Sequence, residues 1–309
     1  MSKLAFVFPG QGSQRVGMGQ DLAEEYDVVA ETFEQANQVL DLDIKELCFA
    51  GPEDKLTETA NTQPAILTTS IAFYRLLKEE GITPDVVAGH SLGEYAALVA
   101  AGVLDFEQGL KLVRKRGELM SQADPEGNGT MAAVIGLDAA EVEKVCEQGS
   151  EYGIVEAANY NCPGQIVISG EKEAVEKTTE LAKEAGAKKA VVLNVSGPFH
   201  SSLMESAGEK LADYLADLEF QEPEIPVVPN VNAEPTTDPA EIKAALIEQM
   251  SGAVRWEESI ERMIADGVDT FVEVGPNRVL KGFMRRIDRS VTAVNVRNQR
   301  SLKKTKKKL

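Results

Sequence analysis

Two kinds of hydrophobic pattern alternate along this chain. Leu4–Phe8 is a short apolar run that stops at Pro9-Gly10, and Asp85–Gly89 is a second. Each is followed by a glycine turn and then by apolar positions at helical spacing, so each reads as a buried strand leading into a helix. Ile225–Val231, Thr270–Val274 and Val291–Val296 repeat the strand pattern, with Asp238, Pro239 and Glu241 marking a helix start between them. This βα alternation predicts a mostly parallel sheet with flanking helices.

Between the two groups the rhythm changes, after the turn signal Pro125, Gly127, Asn128, Gly129. Met131–Ile135 reads as a strand, Asp138 with Glu141 as a helix cap, and Ile154–Ala158 and Gln165–Ile168 as two more strands. A helix presenting Ala174, Val175, Thr178, Leu181, Ala182 and Ala185 on one face follows, and Ala190–Val195 closes the unit. The order βαββαβ is that of a ferredoxin-like module. The expected organisation is therefore a discontinuous large domain, 1–126 and 197–300, an insert over 127–196, and a basic tail over 301–309. Five lysines in six positions, from Lys303 to Lys308, predict a solvated, disordered end by composition.

Composition narrows the function. With 32 Lys and Arg against 50 Asp and Glu, the net charge of −18 excludes a surface built to grip phosphate backbones, and with it nucleic acid as a partner. The longest apolar run, Ala96–Leu104, contains Gly102 and reaches only half of the roughly 20 residues a membrane helix needs. No membrane span is expected, and the N-terminal apolar run is too short for a secretory leader, so the expected location is cytoplasmic. Cys48, Cys146 and Cys162 are odd in number and widely spaced, which supports neither a disulfide framework nor a zinc site.

Gly89-His90-Ser91-Leu92-Gly93 matches G-x-S-x-G, with a strand before it and a helix after it. In that context the pattern describes a sharp turn that lifts a serine hydroxyl out at a helix N-terminus; out of context it is an ordinary turn. A serine nucleophile needs a base, and the chain has two histidines. His90 adjoins the serine, where side chains diverge, which leaves His200 in the loop Ser196–Ser201; the competing reading is a loop histidine with no task. On a helix starting near Asp105, at about 100° per residue, Arg116 projects into the arc of Phe106, Leu110, Leu112, Val113, Leu119 and Met120. An inward guanidinium must meet an anion, either an internal carboxylate or a carboxylate on the substrate. Pro9–Gln14 fails both phosphate-loop motifs, and reads either as a tight turn or as a source of a backbone N–H toward the serine.

Taken together, PGQGSQ (9–14), QPA (63–65), GHSLGEYAAL (89–98), RG (116–117), NCPGQIVISG (161–170), GPFHS (197–201) and EVGP (273–276) closely resemble the bacterial malonyl-CoA:acyl carrier protein transacylases of fatty acid synthesis. The resemblance runs from about residue 3 to 298. It implies an α/β-hydrolase-like domain carrying a ferredoxin-like insert. It also implies Ser91 as the acylated nucleophile, His200 as its base and acid, and the backbone N–H groups of Gln11 and Leu92 as the oxyanion hole. By the same resemblance Arg116 holds the malonyl carboxylate, the backbone carbonyl of Gln249 orients His200, and Gln63, Asn161 and Gln165 line the cleft. Malonyl-CoA and acyl carrier protein are the implied partners, with no metal and no redox cofactor. A serine esterase or thioesterase using water as acceptor, and a silent binding module, are the rival readings. Because such carrier proteins are acidic, Lys188 with Lys189 and Arg285 with Arg286 are candidate docking pairs.

Overall fold

A computed structural model describes residues 3–309. Nine strands fall in chain order at Lys3–Phe8 (β1), Val86–Gly89 (β2), Gly129–Ile135 (β3), Val155–Cys162 (β4), Gln165–Glu171 (β5), Lys189–Val192 (β6), Val227–Val228 (β7), Val268–Val274 (β8) and Thr292–Val296 (β9). One sheet has the order β7-β2-β1-β8-β9, every neighbouring pair parallel. β1, β2 and β7 are near-continuous apolar runs because a parallel sheet is covered on both faces. Alternation then divides the side chains between two cores. Phe6, Phe8, Val87 and Val272 enter one, while Ala5, Val7, Ala88 and Phe271 enter the other with Trp256.

The second sheet, β4-β5-β3-β6, is antiparallel throughout. Numbered within the unit its order is 2-3-1-4, the ferredoxin-like arrangement that the βαββαβ pattern predicts. Helices Ala139–Gly149 and Lys172–Glu184 cover one face and share a small apolar core with Ala132, Val134, Ile166 and Ile168. The first of these helices starts in a capping box in which Asp138 and Glu141 exchange side-chain and backbone hydrogen bonds. Met131, Ala133 and Val167 face the other way and pack with the large core. Backbone bonds tie the second sheet to the segment before the helix Trp256–Ala265: Val254 N–H donates to Ala158 O at 2.8 Å and Val254 O accepts from Tyr160 N–H at 2.9 Å. The next residue, Arg255, donates its N–H to Asn230 O at 2.9 Å.

Three expectations change. The strand expected over Ile225–Val231 shortens to Val227–Val228, because Pro226 and Pro229 have no N–H for the ladder. The strand expected over Ala190–Val195 ends at Val192, and Leu193–Val195 turn away to line a cleft. The lysine-rich end is not a disordered tail. Gln299–Lys306 is a helix whose Asn298 cap exchanges hydrogen bonds with Ser301. Leu302 and Thr305, three residues apart, face inward, the Thr305 hydroxyl donating to Asn295 O at 3.0 Å. Composition registers only the lysines; the spacing of these two residues decides the outcome.

Candidate active site

The C-terminal ends of β1 and β2 deliver Pro9–Gln14 and Ser91 to the same rim. Ser91 sits in the left-handed region at φ 51°, strained for a residue with a Cβ. The glycines around it leave no alternative. A Cβ on Gly89 would lie 1.9 Å from the carbonyl carbon of Gly93, and one on Gly93 would lie 2.0 Å from Phe8 O. Asn230 clamps the turn: its Oδ1 accepts from Ser91 N–H at 2.7 Å and its Nδ2 donates to Gly89 O at 2.6 Å.

His200 reaches the serine from the loop that follows the second sheet, itself at φ 60°. Its Nε2 lies 2.7 Å from Ser91 Oγ, and its Nδ1 lies 2.8 Å from the backbone oxygen of Gln249. A carbonyl only accepts, so Nδ1 carries the proton and Nε2 is left as the acceptor for the serine hydroxyl. Burial, and then the nearby Arg116 charge, push the imidazole down to about 3, so it stands neutral and ready as a base.

Arg116 is 1% exposed on the helix Phe106–Ala123, whose Asp105 cap and inward arc follow the predicted spacing. Its Nη2 donates to Gln249 Oε1 at 2.9 Å and to Ser91 Oγ at 3.2 Å, and the guanidinium lies 5.2 Å from the Tyr95 ring centre. Among the described residues no carboxylate lies within 4.0 Å of it. The one buried acid in its surroundings, Glu94, is reached through the Gln249 amide, which donates to Glu94 Oε2 at 2.8 Å. A guanidinium thus stands beside the nucleophile with its charge unpaired, which is what a carboxylate-bearing ligand requires.

Gln11, His90, Asn161, Met120 and Phe199 complete a cleft of about 470 Å³ over Ser91, Arg116 and His200. Among the described residues the N–H groups of Gln11 and Leu92 have no acceptor, leaving two backbone donors near Ser91 uncommitted. His90 is a packed histidine, its Nε2 2.8 Å from Asn161 Oδ1 and its ring against Trp256. Gln63 and Gln165 do not line the cleft. Gln63 is buried behind Met120, its Nε2 3.2 Å from Sδ, and Gln165 accepts from Arg286 at 2.7 Å at the start of β5. Motif membership placed them near the site, but only alternate residues of a strand and one arc of a helix face a given cavity. The three cysteines are buried and separate, with thiols pushed up by desolvation.

Sequence reading missed Asn230 and Glu94. Asn230 carries no motif signal. Glu94 did leave one, as the one carboxylate in the otherwise largely apolar first turns after the serine, but an acid there is ordinarily a solvated partner of the helix dipole.

The chain matches the acyl transferase domain family over residues 5–307. It is 51% identical over 297 residues to the malonyl CoA-acyl carrier protein transacylase of Bacillus subtilis, covering 96% of this chain and 94% of that one. It superposes on the crystal structure of an acyl carrier protein S-malonyltransferase from Vibrio cholerae with a TM-score of 0.96 at 50% identity, covering 98% and 100% of the two chains. A malonyl-transacylase in complex with a type II PKS acyl-carrier protein superposes with a TM-score of 0.97 at 45% identity, both chains covered fully.

Proposed function

Since the chain belongs to the acyl transferase domain family, among the malonyl CoA-acyl carrier protein transacylases, we propose that it moves a malonyl group from malonyl-CoA to the phosphopantetheine thiol of acyl carrier protein. The observation that carries this reading is the convergence of two groups on one oxygen. Ser91 Oγ is 2.7 Å from a neutral imidazole nitrogen and 3.2 Å from an unpaired buried guanidinium.

Ser91 Oγ attacks the thioester carbonyl while its proton passes to His200 Nε2. The backbone N–H groups of Gln11 and Leu92 receive the developing oxyanion. The carbon–sulfur bond then breaks, the coenzyme A sulfur takes the proton from the imidazolium, and a malonyl ester remains on Ser91. The carrier thiol enters the same cleft, gives its proton to His200 and attacks the ester, and the imidazolium returns that proton to Ser91 Oγ as the acyl group leaves on the carrier sulfur. Throughout, Gln249 O holds the Nδ1 proton, and Arg116 holds the malonyl carboxylate with a bidentate or single charge-assisted bond. Asn161 acts indirectly, by fixing His90 in the cleft wall. Every step uses side-chain and backbone groups of this chain, so the reading calls for no cofactor. Residues 127–196 serve as the insert that forms one cleft wall, and 1–126 with 197–300 as the part that carries the nucleophile. Exposed Lys188 and Lys189 are the better candidates for the acidic carrier, because Arg286 is already engaged by Gln165 and Pro163. Among the described residues no helix is long and apolar enough to cross a membrane.

The test is to mix the protein with radiolabelled malonyl-CoA and carrier protein. Label on Ser91, then on the carrier, with parallel initial-rate lines, is the expected result. Free malonate as the main product would show a thioesterase instead.

A further inference from the structure

Glu94 has no part in those steps, yet it is wholly buried three residues past the nucleophile. Its Oε2 accepts from Asn230 N–H at 2.9 Å and from Gln249 Nε2 at 2.8 Å. The second bond decides which way the Gln249 amide faces, because an amide has one donating end and one accepting end. Its nitrogen is turned toward groups that only accept, Glu94 Oε2 and, at 3.1 Å, Ser91 O. Its oxygen is thereby turned toward Arg116 Nη2, which only donates. A flipped amide would set oxygen against carboxylate and nitrogen against guanidinium.

We propose that Glu94 is a positioning residue: by fixing the side-chain amide of Gln249 it aims Arg116 at the acyl carboxylate beside Ser91, and so sets the preference for carboxylated acyl groups. This rests on the reading of Arg116 given above. Two features make the aim depend on the amide. Arg116 has no carboxylate of its own to lean on, and its Nε has no partner among the described residues, so Gln249 Oε1 is its strongest anchor. Gln249 is also held at its other end, where its backbone oxygen meets His200 Nδ1. One residue thus sets the base through its main chain and the specificity arginine through its side chain, and Glu94 fixes the second of these. Burying a carboxylate is unfavourable unless it is bonded, which accounts for the strict partnering of Oε2. Desolvation pushes the carboxyl up to about 7, opposed by its two hydrogen bonds and by Arg116.

The test compares kcat/KM for malonyl-CoA and acetyl-CoA in wild type, Arg116→Ala, Glu94→Ala and Glu94→Gln. Glu94→Ala should lower the malonyl-to-acetyl ratio about tenfold or more, the scale of one lost hydrogen bond to a charged group, mainly through KM for malonyl-CoA. Glu94→Gln retains an oxygen for Gln249 and Asn230 and should restore most of the ratio. A Glu94→Ala enzyme that slows both substrates in proportion, or leaves the ratio unchanged, overturns the proposal while Arg116→Ala still collapses the ratio. If Arg116→Ala leaves the ratio intact, the reading of Arg116 is wrong and the proposal falls with it. Should Glu94→Ala fail to fold, Gln249→Leu, which keeps the backbone oxygen for His200, must lose the same preference; a retained ratio is again fatal.

Discussion

The insert and the serine turn are built under opposite rules. In the insert sheet, β3 to β6, residues alternate between the Val134–Ile168 core and the cleft side, a capping box starts the first helix, and no non-glycine residue has a positive φ. Its one buried side-chain atom without a partner is Ser169 Oγ. Around Ser91 the rules are broken together. Two non-glycine residues, Ser91 and His200, are left-handed, and Gln63 Oε1, Glu94 Oε1, Tyr95 OH and Arg116 Nε are buried without partners among the described residues. Regular regions minimise free energy locally. The serine turn instead holds strain and unpaired polarity where a ligand is to meet them, and the regular regions supply the stability that makes this tolerable.

Mutations can break that comparison or sharpen it. The largest effect is expected from Ser91→Ala: malonyl labelling disappears and transfer falls on the order of 10⁶-fold, as when a serine nucleophile is removed elsewhere. Thermal unfolding should show a melting temperature no lower than wild type, since an alanine removes a group without improving or spoiling the core; a large drop would mean that the strained serine stabilises the fold.

Next in size is Arg116→Ala, which should cost malonyl transfer about 3 to 5 kcal/mol in transition-state stabilisation while acetyl transfer holds or rises, measured as kcat/KM for the two thioesters. It should also move the pH profile. In wild type, His200 is pushed down to about 3 and Arg116 is the second cause, because a positive neighbour disfavours the imidazolium. Removing that charge raises the imidazole pKa, so the acid limb for acetyl transfer should shift upward toward the ordinary histidine value. A limb that stays put would separate Arg116 electrically from His200.

The insert should respond in the opposite way. Ile168→Ala, in a wholly buried position, should cost about 2 to 5 kcal/mol of folding stability by chemical denaturation, with kcat/KM of the folded enzyme within about twofold of wild type. Smallest of all, Asp138→Ala removes a cap and should cost about 1 kcal/mol with no kinetic effect. Loss of activity in either would show that the insert transmits strain into the cleft.

The same division explains what could be read from sequence. Periodicity located β1, β2 and the four insert strands because each obeys a simple period, and the Arg116 arc came from helical spacing alone. Ser91 and His200 were legible because the turn motif is local and histidines are scarce. Asn230 was not, since an asparagine about 140 residues from the serine announces nothing until β7 brings it to the turn. Gln249 could be named by resemblance for its backbone oxygen, but its amide's service to Arg116 depends on two side chains far away in the chain. The C-terminal helix was misread because composition outweighed the spacing of Leu302 and Thr305.

The backbone bonds at Val254 carry a lesson for protein engineering. Val254 is paired to β4 through Ala158 and Tyr160, and its neighbour Arg255 donates to Asn230, which clamps the serine turn. The cleft wall and the nucleophile are therefore riveted to one short stretch of chain. A chimaera that exchanges residues 127–196 for those of a relative with a different acyl preference would leave that rivet behind, so the graft inherits the recipient's slot width. Recombination breakpoints that include 230 and 249–256 with the insert would carry the insert's cleft wall across together with its backbone anchor.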